Sequence, residues 1–243
     1  MKAMLLAAGE GVRLRPLTLH QPKVMLPIAG QPLLEITIRW LKKYGVNQVA
    51  INLHHRPEAI TSYFGDGRPW GVEISYSYEE KLLGTAGAVR KLRDLFQETF
   101  VLVYGDVLTD LPLEALRRFH RAKGSGHPSA YLTMALYHVP NPTEVGLVSL
   151  DEEGRVLAFK EKPCPEEVFT DLANSGILIL EPEIIEYIPE DTFYDFGHHL
   201  FPKLLEEGVP MYGWPIPADT YLLDIGTPEK YRKAQREWPL RHP

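Results

Sequence analysis

The sequence predicts an α/β fold, a Rossmann-like, three-layer arrangement in which a mixed, mostly parallel sheet is flanked by helices. Two observations predict this class. In the first half of the chain, short apolar segments alternate with longer segments whose apolar residues recur every three or four positions. The connections are also long enough to hold the crossover helices that parallel strands require. Ligands of such sheets bind beyond the carboxyl ends of the strands.

The elements of the first half can be assigned in order. Lys2 to Leu6 is the first predicted strand, and a long loop broken by glycine and proline follows it as far as Pro32. The helix that begins there has its apolar residues on one stripe, and Gly45 lies just past its end, the usual place for glycine. The remaining segments are predicted as strands at 48–53, 73–77 and 99–104, and as helices at 57–64, 85–95 and 112–122.

The alternation weakens in the second half. The glycine-containing stretch 124–128 is typical of a loop, and 151–154 is typical of a hairpin turn. Strands are predicted at 129–138, 147–150, 156–159 and 172–180, and helices at 196–206 and from Thr227 to about Trp238. Thr227 is a favourable N-cap and Pro228 a favourable first helical residue. We expect one domain over residues 1–238 whose halves, 1–125 and 126–238, share one sheet.

The composition excludes several classes of function. The chain of 243 residues is 44% hydrophobic and 24% charged, as soluble globular proteins are. A formal net charge of -6 gives no general attraction to nucleic acid or anionic lipid, so neither is expected as a partner. No apolar run reaches the roughly 18 residues of a membrane span, and we expect a cytoplasmic protein. The single cysteine, Cys164, excludes an internal disulfide.

The loop after the first strand is a candidate site. It contains Gly9 and Gly11, which let backbone N–H groups approach an anion. Three cations accompany them: Arg13, Arg15 and Lys23. Together these residues predict a polyphosphate ligand, although a solvated glycine-rich turn is the alternative. Leu14 stands where a dinucleotide fingerprint has its third glycine, and the Gly-Lys-Ser/Thr ending of a P-loop is absent.

Several motifs together resemble those of one enzyme family. The loop reads Leu-Ala-x-Gly-x-Gly-x-Arg-Leu-x-Pro-Leu-Thr over residues 6–18, and Pro-Lys follows at 22–23. Further matches occur at 83–88 (Leu-Gly-Thr-Ala-Gly-Ala), 104–106 (Tyr-Gly-Asp), 159–163 (Phe-Lys-Glu-Lys-Pro), 174–176 (Asn-Ser-Gly) and 223–228 (Leu-Asp-Ile-Gly-Thr-Pro). In this combination the chain resembles the sugar-1-phosphate nucleotidylyltransferases, which make nucleoside-diphosphate sugars. Val12 departs from the family, which usually has Thr or Ser there.

The resemblance implies a fold, a reaction and two substrates. The fold would be of the nucleotide-diphospho-sugar transferase type, with 1–125 as the nucleotide-binding half and 126–238 as the sugar-phosphate-binding half. In the family's reaction, an oxygen of a sugar 1-phosphate attacks the α-phosphorus of a nucleoside triphosphate, and pyrophosphate leaves. Because the attacking oxygen is already anionic, the protein has to supply cations and alignment rather than a base.

The resemblance also implies roles for individual residues. Arg13 and Lys23 would hold the triphosphate and Lys162 the sugar phosphate, and these three are the expected catalytic residues. The expected nucleotide-binding residues are Leu6, Ala8, Gly9, Gly11, Glu79, Gly84 and Thr85. The expected sugar-phosphate-binding residues are Gly146, Glu161, Lys162 and Asn174. Without the resemblance, the Glu-Lys-Pro sequence at 161–163 indicates no more than a solvated strand end.

Two aspartates are predicted to hold a metal ion. Asp106 and Asp224 each end a short apolar run, where the ligands of an α/β sheet collect. Two carboxylates suit Mg²⁺, which keeps several waters and bridges phosphate oxygens. Either aspartate alone fits a helix cap or a turn equally well, but both match the metal aspartates of the family. We therefore expect Mg²⁺ as the cofactor.

The base and the sugar are indicated by fewer residues. Guanine presents two donors that one carboxylate can accept together. Glu79 stands where family members that use uridine or thymidine triphosphate often carry glutamine, although a solvated loop at 79–81 is the alternative. The segments 51–55 and 63–67 look most like those of mannose-1-phosphate guanylyltransferases. These features favour GTP and mannose 1-phosphate, with UTP or dTTP and another sugar 1-phosphate as the alternative.

Two other classes of function stay open as alternatives. A non-catalytic regulatory homologue that binds sugar nucleotides would have lost a phosphate cation or a metal aspartate, and only Val12 points that way. NAD-dependent oxidoreduction is disfavoured by Leu14. The chain stops soon after the last predicted helix, so we expect no C-terminal β-helix domain, no acetyltransferase activity and no trimer formed through such a domain. A homodimer is left open.

Overall fold

The computed structural model of the protein describes residues 1–124 and 130–242. Its helices are α1 (Leu33–Lys43), α2 (Pro57–Phe64), α3 (Gly84–Lys91), α4 (Leu113–Gly124), α5 (Phe201–Glu206) and α6 (Pro228–Arg241). Its strands are β1 (Lys2–Leu6), β2 (Pro27–Ile28), β3 (Gln31–Pro32), β4 (Gln48–Leu53), β5 (Glu73–Tyr78), β6 (Phe100–Tyr104), β7 (Val107–Thr109), β8 (Leu132–His138), β9 (Gly146–Leu150), β10 (Val156–Glu161), β11 (Leu172–Leu180), β12 (Met211–Pro215) and β13 (Leu222–Asp224). A π-helical turn, Phe196–Leu200, leads into α5.

The chain forms two compact units that are interleaved along the sequence. The first consists of Met1–Leu82, Val103–Leu111 and Thr220–Pro243, and the second of Leu83–Leu102 and Pro112–Asp219. Each unit therefore contains segments that are far apart in the sequence.

The first unit contains three parallel strands in the order β1, β4, β5. Leu6 pairs with Asn52, and Asn52 pairs with Ser77, so the three strands end at the same edge. The central residues of β1 and β4 are buried, as expected for parallel strands that are covered on both faces. The loops that follow these strands are thereby gathered at one edge.

The apolar stripe of α1 packs into a core of the first unit. Leu33 and Ile36 of this helix lie in one cluster with Ala234 and Trp238 of α6. The hydroxyl of Thr227 accepts a hydrogen bond from the backbone N–H of Lys230, which confirms the predicted N-cap of α6. The packing of α1 against α6 therefore joins the N-terminal and C-terminal segments of the first unit.

A short antiparallel pair, β7 and β13, joins two distant parts of the sequence within the first unit. Asp224 pairs with Val107, and Leu222 pairs with Thr109. The backbone N–H of Ile225 also donates to the carbonyl oxygen of Asp106 at 2.9 Å. The ladder therefore places Asp106 and Asp224 at neighbouring strand ends.

The second unit has mixed pairing. Strand β9 lies between β10 and β11 and is antiparallel to both, while β8 is antiparallel to β11 and parallel to β12. The pairing of β11 with β8 is irregular between Asn174 and Leu178, as at a β-bulge. In β9 and β10, Gly146 pairs with Glu161.

The predicted α/β class, with a mixed sheet flanked by helices, is confirmed. Strands 2–6 and 48–53 and helix 57–64 have the predicted bounds. The helix predicted over 85–95 ends at Lys91 and continues as a 3-10 turn over Arg93–Leu95. Strand β12 was not predicted, because Gly213 and Pro215 lower its strand propensity. Gly124, the first residue of the loop predicted at 124–128, ends α4, and the rest of that loop and Ser129 lie outside the described residues. Among the residues that the structure describes, no helix is long and apolar enough to cross a membrane.

Candidate functional site

The glycine-rich loop is folded against Thr18 in the first unit. Gly11 has a φ of +63°, and a Cβ added there would lie 2.9 Å from Cγ2 of Thr18 and 3.1 Å from Cβ of Lys23. The hydroxyl of Thr18, which is 1% exposed, donates to the carbonyl oxygen of Gly11 at 2.8 Å. Glycine is therefore required at position 11 by both the backbone conformation and the packing.

Lys23 and Asp106 form an ion pair in the first unit. Lys23 Nζ donates to Asp106 Oδ2 at 2.5 Å, and both side chains are about four-fifths buried. Burial by itself raises the pKa of Asp106, but the charge and hydrogen bond of Lys23, aided by the charge of Arg13, outweigh burial and hold that pKa below its ordinary value. The carboxylate is therefore ionised, and the charge of Lys23 stabilises it.

Asp224 lies close to two cations of the same unit. Lys230 Nζ donates to Asp224 Oδ2 at 2.5 Å, and the backbone N–H of Gly226 donates to Asp224 Oδ1 at 3.1 Å. A Cβ added at Gly226 would lie 2.8 Å from that Oδ1 and 3.0 Å from Nη2 of Arg13. The structure thus brings the predicted residues Arg13 and Asp224 against the same glycine.

The donor set at these two aspartates fits a magnesium ion bound together with phosphate. Asp106 and Asp224 lie at neighbouring strand ends, and their charges are balanced by lysines. Among residues 1–124 and 130–242, no group of three or more His, Cys, Asp or Glu side chains is arranged to hold a metal. Two carboxylates with phosphate and water oxygens are what Mg²⁺ commonly uses, whereas a metal held by protein alone needs more ligands.

Glu79 is buried, so the alternative of a solvated loop at 79–81 is wrong for this residue, whereas Glu80 and Lys81 are exposed. Glu79 is 1% exposed, and its Oε1 accepts a hydrogen bond from Nδ2 of Asn52 at 2.9 Å. Its backbone N–H donates to the carbonyl oxygen of Leu53 at 2.8 Å, and its carbonyl oxygen lies 2.8 Å from Nδ1 of His54. Glu79 is therefore fixed to the end of β4.

The start of α3 packs against residues 192–195 of the second unit. Gly84 has a φ of +75°, and a Cβ added there would lie 2.5 Å from the carbonyl oxygen of Tyr194. That oxygen accepts hydrogen bonds from the N–H groups of Ala86 and Gly87 at 2.9 and 3.0 Å. Two N-terminal amides of α3 are thereby satisfied, and the glycine of the Leu-Gly-Thr-Ala-Gly motif is explained by this close approach.

The hydroxyl of Thr85 is bonded within the second unit. It donates to Oδ2 of Asp195 at 2.7 Å and accepts from the N–H of Phe196 at 2.9 Å. Oδ1 of Asp195 accepts from the N–H groups of Gly197 and His198. Thr85 and Asp195 thus tie the start of α3 to the π-helical turn, and the expected place of Thr85 beside base and ribose stays a prediction.

Glu161 lies at the end of β10 between two glycines of the second unit. A Cβ added at Gly146 would lie 2.6 Å from its Oε2, and one added at Gly197 would lie 2.5 Å from it. Burial raises the pKa of Glu161, and although Lys162 lowers it, the charge of Asp195 adds to the upward shift. The two glycines leave the room that this carboxylate occupies.

Lys162 follows Glu161 with an unusual backbone conformation. It is exposed and has a φ of +45°, while its N–H donates to the carbonyl oxygen of Val145 at 3.0 Å. A left-handed conformation costs a non-glycine residue about 1–2 kcal/mol, and such strain is concentrated at functional sites.

Asn174 lies on β11, where the neighbouring Ala173 pairs with Leu147. The Oδ1 of Asn174 accepts a hydrogen bond from the backbone N–H of Gly176.

The predicted residues therefore fall into separate groups within the two units. Arg13, Lys23, Asp106 and Asp224 are clustered in the first unit, and Gly146, Glu161 and Lys162 lie together in the second. Sequence reasoning missed three residues that bond predicted site residues: Asn52 bonds Glu79, Asp195 bonds Thr85, and Lys230 bonds Asp224. Only Asn52 carried a signal, since it is a polar residue inside the apolar run of β4.

Comparison with known proteins gives three related findings. The sequence profile of a family described as nucleotidyl transferase matches residues 2–239. Over 97% of its length, the chain is 41% identical to a UTP–glucose-1-phosphate uridylyltransferase of a Synechocystis strain and 37% identical to a mannose-1-phosphate guanylyltransferase of Mycobacterium tuberculosis. The chain spans 63% and 64% of the lengths of these two relatives.

A solved structure matches the fold over nearly the whole chain. HddC from Yersinia pseudotuberculosis, complexed with GMP-PN, superposes with a TM-score of 0.79 at 25% identity, covering 98% of this chain and 99% of that one. The agreement confirms the predicted fold type.

Proposed function

The chain belongs to the nucleotidyl transferase family, and on that premise we propose that it transfers a nucleotidyl group from a nucleoside triphosphate to a hexose 1-phosphate, releasing pyrophosphate and forming a nucleoside-diphosphate hexose. The observation that carries the proposal is the cluster of two cations and two carboxylates in the first unit: Arg13, Lys23, Asp106 and Asp224. It combines phosphate-binding cations with a carboxylate pair suited to Mg²⁺.

The chemistry needs positioning more than proton transfer. One P–O bond forms between a phosphate oxygen of the sugar 1-phosphate and the α-phosphorus, and the bond from that phosphorus to the pyrophosphate oxygen breaks. The nucleophile is already an anion, so the barrier comes chiefly from charge repulsion and alignment. The residues that lower it are cations held in place before the reaction.

In the first unit, Lys23 and Arg13 are proposed to bind the triphosphate. Lys23 is held at Asp106, and Arg13 lies against Gly226. The backbone of Leu6, Ala8, Gly9 and Gly11 is proposed to line the nucleotide. Asp106 and Asp224 would hold Mg²⁺, which when bound neutralises charge on the phosphate oxygens.

In the second unit, Lys162 is proposed to bind the phosphate of the sugar 1-phosphate. The Glu161 carboxylate would accept hydrogen bonds from sugar hydroxyls, and the Asn174 amide would form hydrogen bonds with them. Gly146 leaves room beside Glu161. Support comes from the left-handed backbone of Lys162 and from the confined carboxylate of Glu161. Gly84 and Thr85 are proposed to border the nucleotide.

We propose GTP and mannose 1-phosphate as the preferred substrates. This choice is supported by the relative of M. tuberculosis that is named as a mannose-1-phosphate guanylyltransferase. The carboxylate of Glu79 gives it no support, because that group is 1% exposed and accepts a hydrogen bond from Asn52. A second candidate is UTP with glucose 1-phosphate, which the Synechocystis relative favours because its identity to the chain is 41%.

The test is a matrix of GTP, UTP, dTTP and ATP against mannose, glucose and galactose 1-phosphates, read by pyrophosphate release and by detection of the nucleotide sugar. GTP with mannose 1-phosphate is expected to have the highest kcat/KM. A kcat/KM with UTP or dTTP at least tenfold higher than with GTP would overturn the proposed choice of base but not the proposed reaction class. No turnover with any pair, together with retained sugar-nucleotide binding, would support the regulatory alternative.

A further inference from the structure

Asn52 holds two functional segments of the first unit at once. Its Oδ1 accepts a hydrogen bond from the backbone N–H of Ala7 at 2.7 Å, and its Nδ2 donates to Oε1 of Glu79 at 2.9 Å. All three residues are buried, with exposures of 3% for Asn52, 2% for Ala7 and 1% for Glu79. Ala7 is the first residue after β1, so this contact is made where the glycine-rich loop begins.

The two partners determine the orientation of the amide. A backbone N–H group can only donate, so the amide oxygen of Asn52 must face Ala7, and the amide nitrogen is left to donate to Glu79. Aspartate would keep the acceptor but lose the donor, and it would place two carboxylates together in a buried site. Alanine would leave the Ala7 N–H and the Glu79 carboxylate without this partner, which is costly when both groups are buried.

Glu79 is itself a rigid anchor. Its backbone N–H and carbonyl are bonded to the end of β4, through Leu53 and His54. Asn52 also sits between β1 and β5 in the parallel ladder, opposite Leu6 and Ser77. The amide therefore links the fixed Glu79 to the point at which the loop leaves the sheet.

We propose that Asn52 is a positioning residue that uses the buried Glu79 carboxylate to fix the start of the glycine-rich loop and thereby sets the affinity for the nucleoside triphosphate. The inference rests on the proposed function, which places this loop around the triphosphate. Asn52 acts through the backbone of Ala7 and touches no substrate. Loss of Asn52 should therefore weaken the binding of all nucleoside triphosphates alike and leave the binding of sugar 1-phosphate unaffected.

The experiment exchanges the donor and the acceptor. Asn52→Asp, Glu79→Gln and the double variant Asn52→Asp/Glu79→Gln are purified, and KM is measured for GTP, UTP and the sugar 1-phosphate. Asn52→Asp is expected to raise KM for both triphosphates by at least tenfold and to leave KM for the sugar 1-phosphate within twofold. In the double variant, the glutamine amide can donate to the new aspartate, so KM for both triphosphates should return to within threefold of the Glu79→Gln value.

A second readout does not depend on turnover. Amide hydrogen exchange at Ala7 should accelerate in Asn52→Asp and return toward the wild-type rate in the double variant. Thermal unfolding monitors the fold, and if Asn52→Asp is unfolded at the assay temperature, the double variant carries the test alone. Asn47→Asp is the matched control, because Asn47 is exposed and its Oδ1 accepts from Lys42.

Several results would overturn the positioning role: an unfolded double variant, no recovery of KM in it, an effect confined to one triphosphate, or an equal loss in Asn47→Asp. If the wild-type protein forms no nucleotide sugar with any substrate pair, the proposed function fails. Exchange at Ala7 then still tests the role of Asn52, so the two failures can be told apart.

Discussion

Lys23 and Asp106, which are 83 positions apart in the sequence, are joined by a hydrogen-bonded ion pair of 2.5 Å. The pair occupies the place where a triphosphate and a magnesium ion are proposed to bind. The ion pair neutralises the carboxylate, and each charge offsets part of the cost of burying the other.

Replacing either of the two aspartates proposed to hold Mg²⁺ should abolish most turnover. Asp106→Ala and Asp224→Ala are each expected to lower kcat/KM by about 10²- to 10³-fold, the usual effect of losing one preorganised charge contact in the transition state. Steady-state assays across Mg²⁺ concentrations, with circular dichroism as the control for folding, provide the check. Near-normal Mg²⁺-dependent rates in either folded variant would remove that residue from the metal site.

The two lysines should separate the two substrates. Lys23→Ala is expected to raise KM chiefly for the triphosphate, and Lys162→Ala chiefly for the sugar 1-phosphate, since each removes a cation from a different phosphate group. A lost charge-assisted hydrogen bond of about 1.5–3 kcal/mol corresponds to roughly 10- to 150-fold in KM. If both variants change the same KM, this division of roles is wrong.

Lys230 should compete with the proposed metal ion for Asp224, because its Nζ lies 2.5 Å from Oδ2 of that aspartate. Lys230→Ala is expected to lower the dissociation constant of Mn²⁺, used as the probe metal, by up to about fivefold for a partly exposed pair. Binding can be followed by electron paramagnetic resonance of Mn²⁺, without turnover. Lys233→Ala is the control, since Lys233 is an exposed lysine of the same helix. Equal changes in both variants would show that the effect comes from the loss of one positive charge and not from the contact between Lys230 and Asp224.

Gly84 should be important for the stability of the fold. Gly84→Ala would force a non-glycine residue to a φ of +75° and bring its Cβ to 2.5 Å from the carbonyl oxygen of Tyr194. The left-handed conformation alone costs about 1–2 kcal/mol, and the contact adds to that loss. Urea unfolding measures the change. Gly124→Ala is the control, because nothing lies within 4 Å of a Cβ at that position.

Glu181 should make stability fall at acid pH. Burial alone raises its pKa, but hydrogen bonds from His120 and Thr99 outweigh burial and place the pKa below the ordinary value of 4.5. A lowered pKa in the folded state means that Glu181 stabilises the fold above the unfolded-state pKa, and that this contribution is lost as pH falls through the folded-state pKa.

The comparison of wild type with Glu181→Gln tests that dependence. The difference in unfolding free energy between the two proteins should be largest near neutral pH and should shrink as the pH falls from about 5 toward 3, through the range of carboxyl titration. Chemical unfolding at a series of pH values provides the measurement. A difference that is constant with pH would show that Glu181 contributes no ionisation-linked stability.

Local sequence patterns are enough to predict several of the helices and strands. Strands β1 and β4 and helix α2 have the bounds that periodicity and proline placement predict, because burial pattern and local propensity act over neighbouring residues. The short strands β7 and β12 lacked such a pattern. They exist only because a distant strand pairs with them, Val107 with Asp224 and Leu132 with Met211.

Which side chains meet depends on how the strands and helices pack. No local pattern indicates that Lys23 lies on Asp106, that Lys230 lies on Asp224, or that Asn52 joins Ala7 to Glu79. Hydrogen bonds and ion pairs act over about 3 Å, and residues remote in sequence reach that distance only after strands pair and helices pack. Periodicity predicts which face of an element is buried, but it does not predict which side chains form contacts. Glu79 is an example, because it is buried beside Asn52 although it follows the end of β5.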